Sequence, residues 1–413
     1  MVLQPVTLIL IRLIQTGMKL PTLKLRKDQE RRILAGHLWI YSNEIDTRET
    51  PLKQFSPGEL VAVHSHRNKW IAHAYVNPHS LISARVISRH PTETLDEALL
   101  TKRIGNAFAL RERLFDNRCY RLVYGESDWL PGLVVDRFGD YLSVQITTAG
   151  MDAVKDQVID VLENLLKPAG ILLKNDLKVR ELEGLEQSVS VARGEIPDRI
   201  RLEENGAFFE TSLTRGQKTG WFYDQGGNRA RMQDYVREGD SVLDICSYAG
   251  AWGVTAALAG AAEVHCVDTS KSALEQAETN AALNGVGEKI GIQQADAFDA
   301  LRQLASDNRR FDMVILDPPA FIKRKKDRKE GEQAYRRLNS LGLEVLKNDG
   351  ILVTSSCSYH MELSMLQNAV RQAAVRQNTM LRQLEFGQQR QDHPLHPAIA
   401  ETAYLKTLFY HKA

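Results

Sequence analysis

The stretch SVLDICSYAGAWGVTAALAGAAEVHCVD, residues 241–268, decides the fold. It opens on an apolar strand, SVLDIC (241–246), passes through a turn of small residues, and closes on a second apolar strand, EVHCVD (263–268). Further on, GIQQAD (291–296), FDMVILD (311–317) and ILVTSSC (351–357) repeat the strand pattern, with amphipathic helices between them. One such helix runs from Ser270 to Asn284, with Ser270 as its cap and Gly285 as its left-handed stop. Strands alternating with helices predict a mostly parallel sheet covered on both faces. Two more strands, LRQLEF (381–386) and AYLKTLF (403–409), follow a helix at 361–378 and are expected to close the sheet, seven strands in all, as an antiparallel edge.

Upstream the pattern changes. From Leu20 to Arg89 short alternating segments such as GELVAVHS (58–65) and KWIAHAYVN (69–77) predict a small β-rich module. A helical period over 95–116, two strands within 130–147 joined at Phe138-Gly139-Asp140, and a helix at 151–166 predict a second, α+β module. The whole chain, 413 residues, is long enough for three domains, each with its own core. We place them at 18–92, 93–195 and 196–413. The apolar run VTLILIRLI near the start is interrupted by Arg12 and is too short to span a bilayer, so no membrane is expected as a partner. We read Met18 as the start of the protein proper and 1–17 as an upstream extension.

Lys and Arg total 53 against 52 Asp and Glu, a balance that leaves nucleic-acid binding to local clusters. Cys119, Cys246, Cys266 and Cys357 are widely spaced, without a CxxC pair or a metal-ligand pattern, so neither a disulfide framework nor a metal site is expected. A reducing cytoplasm suits them.

In a doubly wound sheet the ligands gather at the carboxyl ends of the strands. Asp244 lies in the first strand, and Asp268 closes the second some two dozen residues later, where a carboxylate can accept from ribose hydroxyls. Asp296 closes the third and can meet an adenine amino group, although a single strand-end Asp can equally be a helix cap. The turn Ser247-Tyr248-Ala249-Gly250-Ala251-Trp252-Gly253 lacks the GxGxxG spacing that brings backbone against a pyrophosphate, which argues against NAD and FAD. A nucleoside cofactor without phosphate fits, and S-adenosylmethionine is the candidate. Asp317-Pro318-Pro319-Ala320-Phe321 ends the fourth strand in a rigid loop suited to a planar base. Ser355-Ser356-Cys357-Ser358 ends the fifth and sets a thiol beside the same pocket. Cys266, mid-strand, reads as a buried small hydrophobe, as do Cys119 and Cys246.

These segments resemble the cytosine-C5 RNA methyltransferases, and the chain from about residue 20 to 413 resembles their PUA-domain type that modifies bacterial large-subunit ribosomal RNA. The resemblance rests on GHLWIYSNEI (36–45), GELVAVHS, LPGLVVDRFGDYL (130–142), GQKTGWFYDQ (216–225), LDPPAF (316–321) and SSCS (355–358). It implies a PUA-like first domain, ribosomal RNA as partner and S-adenosyl-L-methionine as cofactor. It also implies that Cys357 is the nucleophile that adds to C6 of the cytosine and that Asp317 bonds the N3 and N4 edge. Cofactor contacts fall on Phe222, Asp224, Gln225, Asp244, Ser247, Tyr248, Gly250, Asp268, Asp296, Ala297 and Asp317. Lys323, Arg324, Lys325 and Lys326 follow the DPP loop and are candidate RNA-phosphate contacts, or simply a solvated face. Many relatives carry a second Cys where Ala320 stands, and an Arg where Gly226-Gly227 follow the DQ pair. Trp39 and Tyr41 could stack on RNA, but as aromatics on alternate positions of a small β domain they read as core.

Guanine N7 or N2 methylation is the alternative chemistry, and a non-catalytic RNA-binding assembly factor the alternative class. A nicotinamide enzyme is disfavoured by the missing phosphate loop. Whether two copies pair is left open.

Overall fold

The structure is a computed structural model that describes residues 20–216 and 219–413, so the extension read at 1–17 lies outside the described residues. The chain divides into two units that are not contiguous in sequence. The first takes the chain up to Asp198 together with Ser212–Trp221 and Asp392–Thr402; the second takes Arg199–Thr211, Phe222–Gln391 and Ala403–Ala413.

In the first unit, β1 (Thr22–Lys24), β2 (Trp39–Ile40), β3 (Glu59–His64), β4 (Trp70–Val76) and β5 (Ala84–Ser88) form a sheet in the order β1-β3-β4-β5-β2. Leu23, Val61, Val63, Ile71 and Val86 build its core with Ile33 of α1 (Glu30–Leu34) and with Ile399 from far along the chain. Trp39 is half-buried, packs against this core and donates its Nε1 to Glu126 at 2.9 Å. A second sheet, β10-β9-β8-β7-β6, comprises β6 (Cys119–Tyr124), β7 (Leu133–Phe138), β8 (Tyr141–Ile146), β9 (Gly170–Asn175) and β10 (Ser188–Gly194). It shares a core with α2 (Glu97–Leu114), through Leu100 and Ile104. The helix expected at 151–166 is broken at Val154 into α3 (Ala149–Ala153) and α4 (Lys155–Leu166), Val154 having left the helical region at φ −112°.

The second unit starts with the hairpin β11 (Ile200–Glu204) and β12 (Ala207–Thr211). After α5 (Gly226–Gln233) come β13 (Ser241–Ile245), α6 (Ala251–Leu258), β14 (Glu263–Asp268), α7 (Lys271–Leu283), β15 (Ile290–Gln294), α8 (Ala297–Ser306), β16 (Phe311–Leu316), α9 (Arg328–Val345), β17 (Leu346–Ser356), α10 (Leu363–Arg376), β18 (Leu381–Gln388) and β19 (Lys406–Lys412). The seven strands follow the order β15-β14-β13-β16-β17-β19-β18, parallel as far as β17 and antiparallel through β19 and β18. The expected α/β class with an antiparallel edge is therefore the observed one. The interior strands are continuous apolar runs because helices cover both faces and leave no side to water. Ser270 caps α7 by accepting from Ala273 N, and Gly285 follows at φ 69°. The final strand begins at Lys406 rather than at Ala403, which lies in coil. Among the described residues no helix is long and apolar enough to cross a membrane.

The order of strands reverses between β13 and β16. In sheets of this kind the loops leaving the carboxyl ends diverge at such a reversal, and ligands bind between them.

Candidate active site

The turn after β13 is held in a costly conformation. Cys246, Tyr248 and Gly250 have φ of 65°, 48° and 75°, and a non-glycine residue in that region costs about 1–3 kcal/mol. Its surroundings fix it. Asp268 accepts from Tyr248 N at 3.0 Å through one oxygen and from Ser270 N at 2.9 Å through the other. A Cβ on Gly250 would lie 2.8 Å from Ala277 Cβ, and one on Gly253 would lie 2.7 Å from Cys266 Sγ. The small residues of the turn are thus required by close packing of α6 and α7.

Asp244 is wholly buried beneath this turn. One carboxylate oxygen accepts from Gly253 N at 3.0 Å, while Oδ1 has no partner among the described residues. Burial, with the neighbouring charges of Asp317 and Asp268, pushes its carboxyl up to about 8. Such a cluster repels a pyrophosphate but suits a ligand rich in N–H and O–H donors. Asp296 caps α8 through Oδ1, which accepts from Phe298 N and Asp299 N, so its helix-cap reading is realised. Ala297 opens that helix, and Ser247 lies buried within the turn. The Phe222 ring meets Tyr248 edge-on, with centroids 5.3 Å apart, which sets the 222–225 segment over the turn.

Asp317 lies across the switch point. Its Oδ1 accepts from Gln225 Nε2 and its Oδ2 from Trp252 Nε1, both at 3.0 Å. Enclosure by the protein raises its carboxyl above the usual range, and the charge of Asp224 adds to the rise against the Trp252 and Gln225 bonds. Asp224 and Gln225 are each only 3% exposed, and their observed partners are protein groups. Asp224 accepts from the Tyr404 hydroxyl; Gln225 Oε1 accepts from Asn228 Nδ2 at 2.6 Å, and Asn228 also reaches Thr407 Oγ1.

The fifth-strand loop is framed by hydroxyls. Ser356 Oγ donates to Tyr335 Oη at 2.8 Å, and Tyr335 Oη lies 3.1 Å from Ser358 Oγ. Ser358 Oγ in turn accepts from Ile322 N at 3.2 Å, which latches this loop to the one that follows Asp317. Ser355, Ser356 and Ser358 are buried, and Cys357 alone of the four is half-buried. The remaining cysteines are unsuited to nucleophilic work. Burial and the carboxylates of Asp268, Asp317, Asp244 and Asp296 drive the Cys246 thiol far up, burial does the same to Cys266, and Cys119 sits in the core. Lys323, Arg324, Lys325 and Lys326 are all exposed, with Arg324 paired to Asp327.

Two groups at this site escaped the reading of the sequence. Trp252, which orients Asp317, stood inside the quoted turn as one more apolar residue. Lys406, which donates from Nζ to Ser358 O at 2.8 Å, is the one charge in the run AYLKTLF (403–409), and that misfit is a signal.

Comparison with known proteins bears on both ends of the chain. Residues 23–89 match a PUA-like domain, and residues 185–411 match an S-adenosylmethionine-dependent methyltransferase. The chain is 34% identical over 394 residues to the Ribosomal RNA large subunit methyltransferase I of Cronobacter sakazakii, covering 94% of this chain and 98% of that one. It is 35% identical over 387 residues to the protein of the same name from Vibrio vulnificus, covering 92% and 96%. Among solved structures, a putative SAM-dependent methyltransferase from Streptococcus mutans superposes with a TM-score of 0.80 at 20% identity, covering 95% of this chain and all of that one. A putative methyltransferase complexed with SAH gives 0.81 at the same identity and coverage.

Proposed function

The chain belongs to the S-adenosylmethionine-dependent methyltransferase family, and on that premise we propose that it methylates C5 of a cytosine in large-subunit ribosomal RNA with Cys357 as nucleophile. The RNA class is that of its relatives' names. The chemistry rests on one observation above all. Cys357 is the sole half-buried side chain in a buried serine frame, and that frame is hydrogen-bonded to the loop following Asp317.

S-adenosylmethionine, when bound, supplies a methyl group attached to a positively charged sulfur. Asp244, Ser247, Tyr248, Gly250, Asp268, Asp296 and Ala297 form its binding turn in this reading, with Phe222 over it. Gln225 holds Asp317 in place, and Asp224 lies beside it as a further carboxylate of the same pocket. The unpartnered oxygen of buried Asp244 is the strongest sign that a donor-bearing ligand belongs there.

For the base, Cys357 thiolate attacks C6, the C5–C6 double bond yields its electrons to C5, and C5 becomes the nucleophilic carbon. Asp317, its carboxyl raised toward the protonated form, donates to N3 and accepts from the N4 amine, which spreads the charge that forms. With the methyl transferred to C5, water takes the C5 proton, the C5–H pair rebuilds the C5–C6 double bond and the C6–S pair returns to sulfur as the thiolate. The exposed run Lys323, Arg324, Lys325 and Lys326 holds phosphates on either side of the extruded nucleotide. We assign the PUA-like domain to 18–92, the linking domain to 93–195 and the catalytic domain to 196–413.

The test is methyl transfer from labelled S-adenosylmethionine to protein-free ribosomal RNA, followed by digestion to nucleosides. Label in 5-methylcytidine that disappears with Cys357→Ala is the expected result. Label on guanine, or label that survives the substitution, overturns the chemistry.

A further inference from the structure

Lys406 occupies a position that a merely structural lysine would not need. It stands at the start of β19, directly opposite Ser356 of β17, and its Nζ bonds the carbonyl of Ser358. The residue between those two is Cys357. Only 8% of Lys406 is exposed, and it has no carboxylate partner among the described residues. An ammonium carries three N–H donors, so two remain unspent in a buried place, and a buried cation without a counter-ion is costly. A fold that tolerates this cost has an anion to set against it. The group at hand that can become one is the Cys357 thiol.

We propose that Lys406 is the positioning residue of Cys357, taking up its thiol proton and holding the resulting thiolate as a buried ion pair. This deepens, and rests on, the reading of Cys357 as nucleophile. The step is self-contained and starts from the neutral amine, the form that burial favours where no counter-ion is present: the S–H bond breaks with its electron pair left on sulfur, and the Nζ lone pair forms a new N–H bond, giving the ammonium of the ion pair. The same ammonium then stands ready to stabilise the sulfur when the C6–S bond breaks, so no outside acid or oxidant is required.

The electrostatics agree. Burial lowers Lys406 to about 8, and Cys357 acts on it in the opposite sense, as an anion beside a cation does. Tyr335 of α9 also acts against the thiol; burial pushes it up to about 12, so it is uncharged near neutrality. A lysine near 8 can exchange a proton with a thiol, whose ordinary value is about 8.5; an ordinary lysine above 10 cannot. The proton is shared by the pair, and its titration belongs to both members.

The alternative is that Lys406 only ties down the loop through Ser358 O. The two roles separate in the reactivity of the thiol. Alkylation of Cys357 in the full chain by iodoacetamide, followed across pH by mass spectrometry of its peptide, should rise with a midpoint below about 8. Lys406→Met should move that midpoint up by at least about one pH unit, a roughly tenfold loss of rate near neutrality, and Lys406→Arg, which supplies the cation but cannot take up the proton, should bring the midpoint back down by holding the thiolate. Coincident profiles for the native protein and a folded Lys406→Met overturn the proposal. Should Lys406→Met not fold, thiolate absorbance near 240 nm, taken as the difference between the native protein and Cys357→Ala, gives the thiol midpoint without touching Lys406; a value of about 8.5 or above overturns the proposal equally. Methyl transfer that persists in Cys357→Ala would instead remove the nucleophile reading, and the thiol titration would still report on the pair.

Discussion

Gly253 faces Cys266 across the seam between α6 and β14, and the seam has no spare volume. A methyl group there would lie 2.7 Å from Cys266 Sγ and 3.1 Å from Val264 Cγ1, so both must give way. Gly253→Ala should therefore lower stability by about 1–3 kcal/mol, read from the denaturant midpoint, whereas Cys266→Ser should leave methyl transfer in place because that thiol is packing and not chemistry. Asp244 makes a pH-dependent prediction. Its folded value of about 8 lies above the ordinary 3.8, so folding favours the protonated form. That stabilisation is full below about pH 4 and drains away up to about pH 8. Asp244→Asn mimics the protonated carboxyl at every pH, so its gain in unfolding temperature over the native chain should open between those limits and stay flat above them. A gain independent of pH would contradict the assignment. The placement of single residues was legible from the strand pattern, as with Cys357 just past the end of β17 and Cys266 inside β14. The roles of Trp252 and Lys406 were not, because what distinguishes them is a partner brought close only by folding.

At the scale of elements, β11 and β12 are fastened to the rest of the second unit by a buried ion pair and by side-chain hydrogen bonds to their backbone. Glu204, fully buried, holds Arg229 of α5 through two bonds of 2.6 and 2.8 Å, and Asn280 of α7 accepts from Glu210 N at 2.8 Å. Removing one member of a buried ion pair leaves the other uncompensated. Glu204→Leu should cost about 3–5 kcal/mol in equilibrium unfolding, while Glu204→Leu combined with Arg229→Met should recover much of that loss. This hairpin went unread although the signal was present: Asn205-Gly206 joins two alternating runs, and both residues take positive φ, 53° and 77°, as a tight two-residue turn demands. The parallel strands were plain because burial on both faces makes them continuous apolar runs. Their limits were less so. β17 extends back to Leu346 through the polar Lys347-Asn348-Asp349, which no hydrophobic pattern would include.

At the scale of the molecule, the first unit draws on residues from nearly the whole length of the chain. Ile399 is fully buried in the core with Leu23, Val61 and Ile71, and Gly36 lies against Ala398. Ile399→Ala should therefore cost about 2–4 kcal/mol and speed hydrogen exchange in β1 and β3, more than three hundred residues away in sequence; exchange altered only near residue 399 would argue against this. Periodicity groups residues with their sequence neighbours, so it could not show that Asp392–Thr402 completes a core begun at Leu23. The contribution of Ile399 also sets a schedule for synthesis. A ribosome adds about 5–20 residues per second, so the strands of the first sheet emerge roughly a quarter of a minute to a minute before the side chain that seals them. During that interval the nascent chain carries an unfinished apolar surface, and the core begun at Leu23 is completed only when Ile399 has been made.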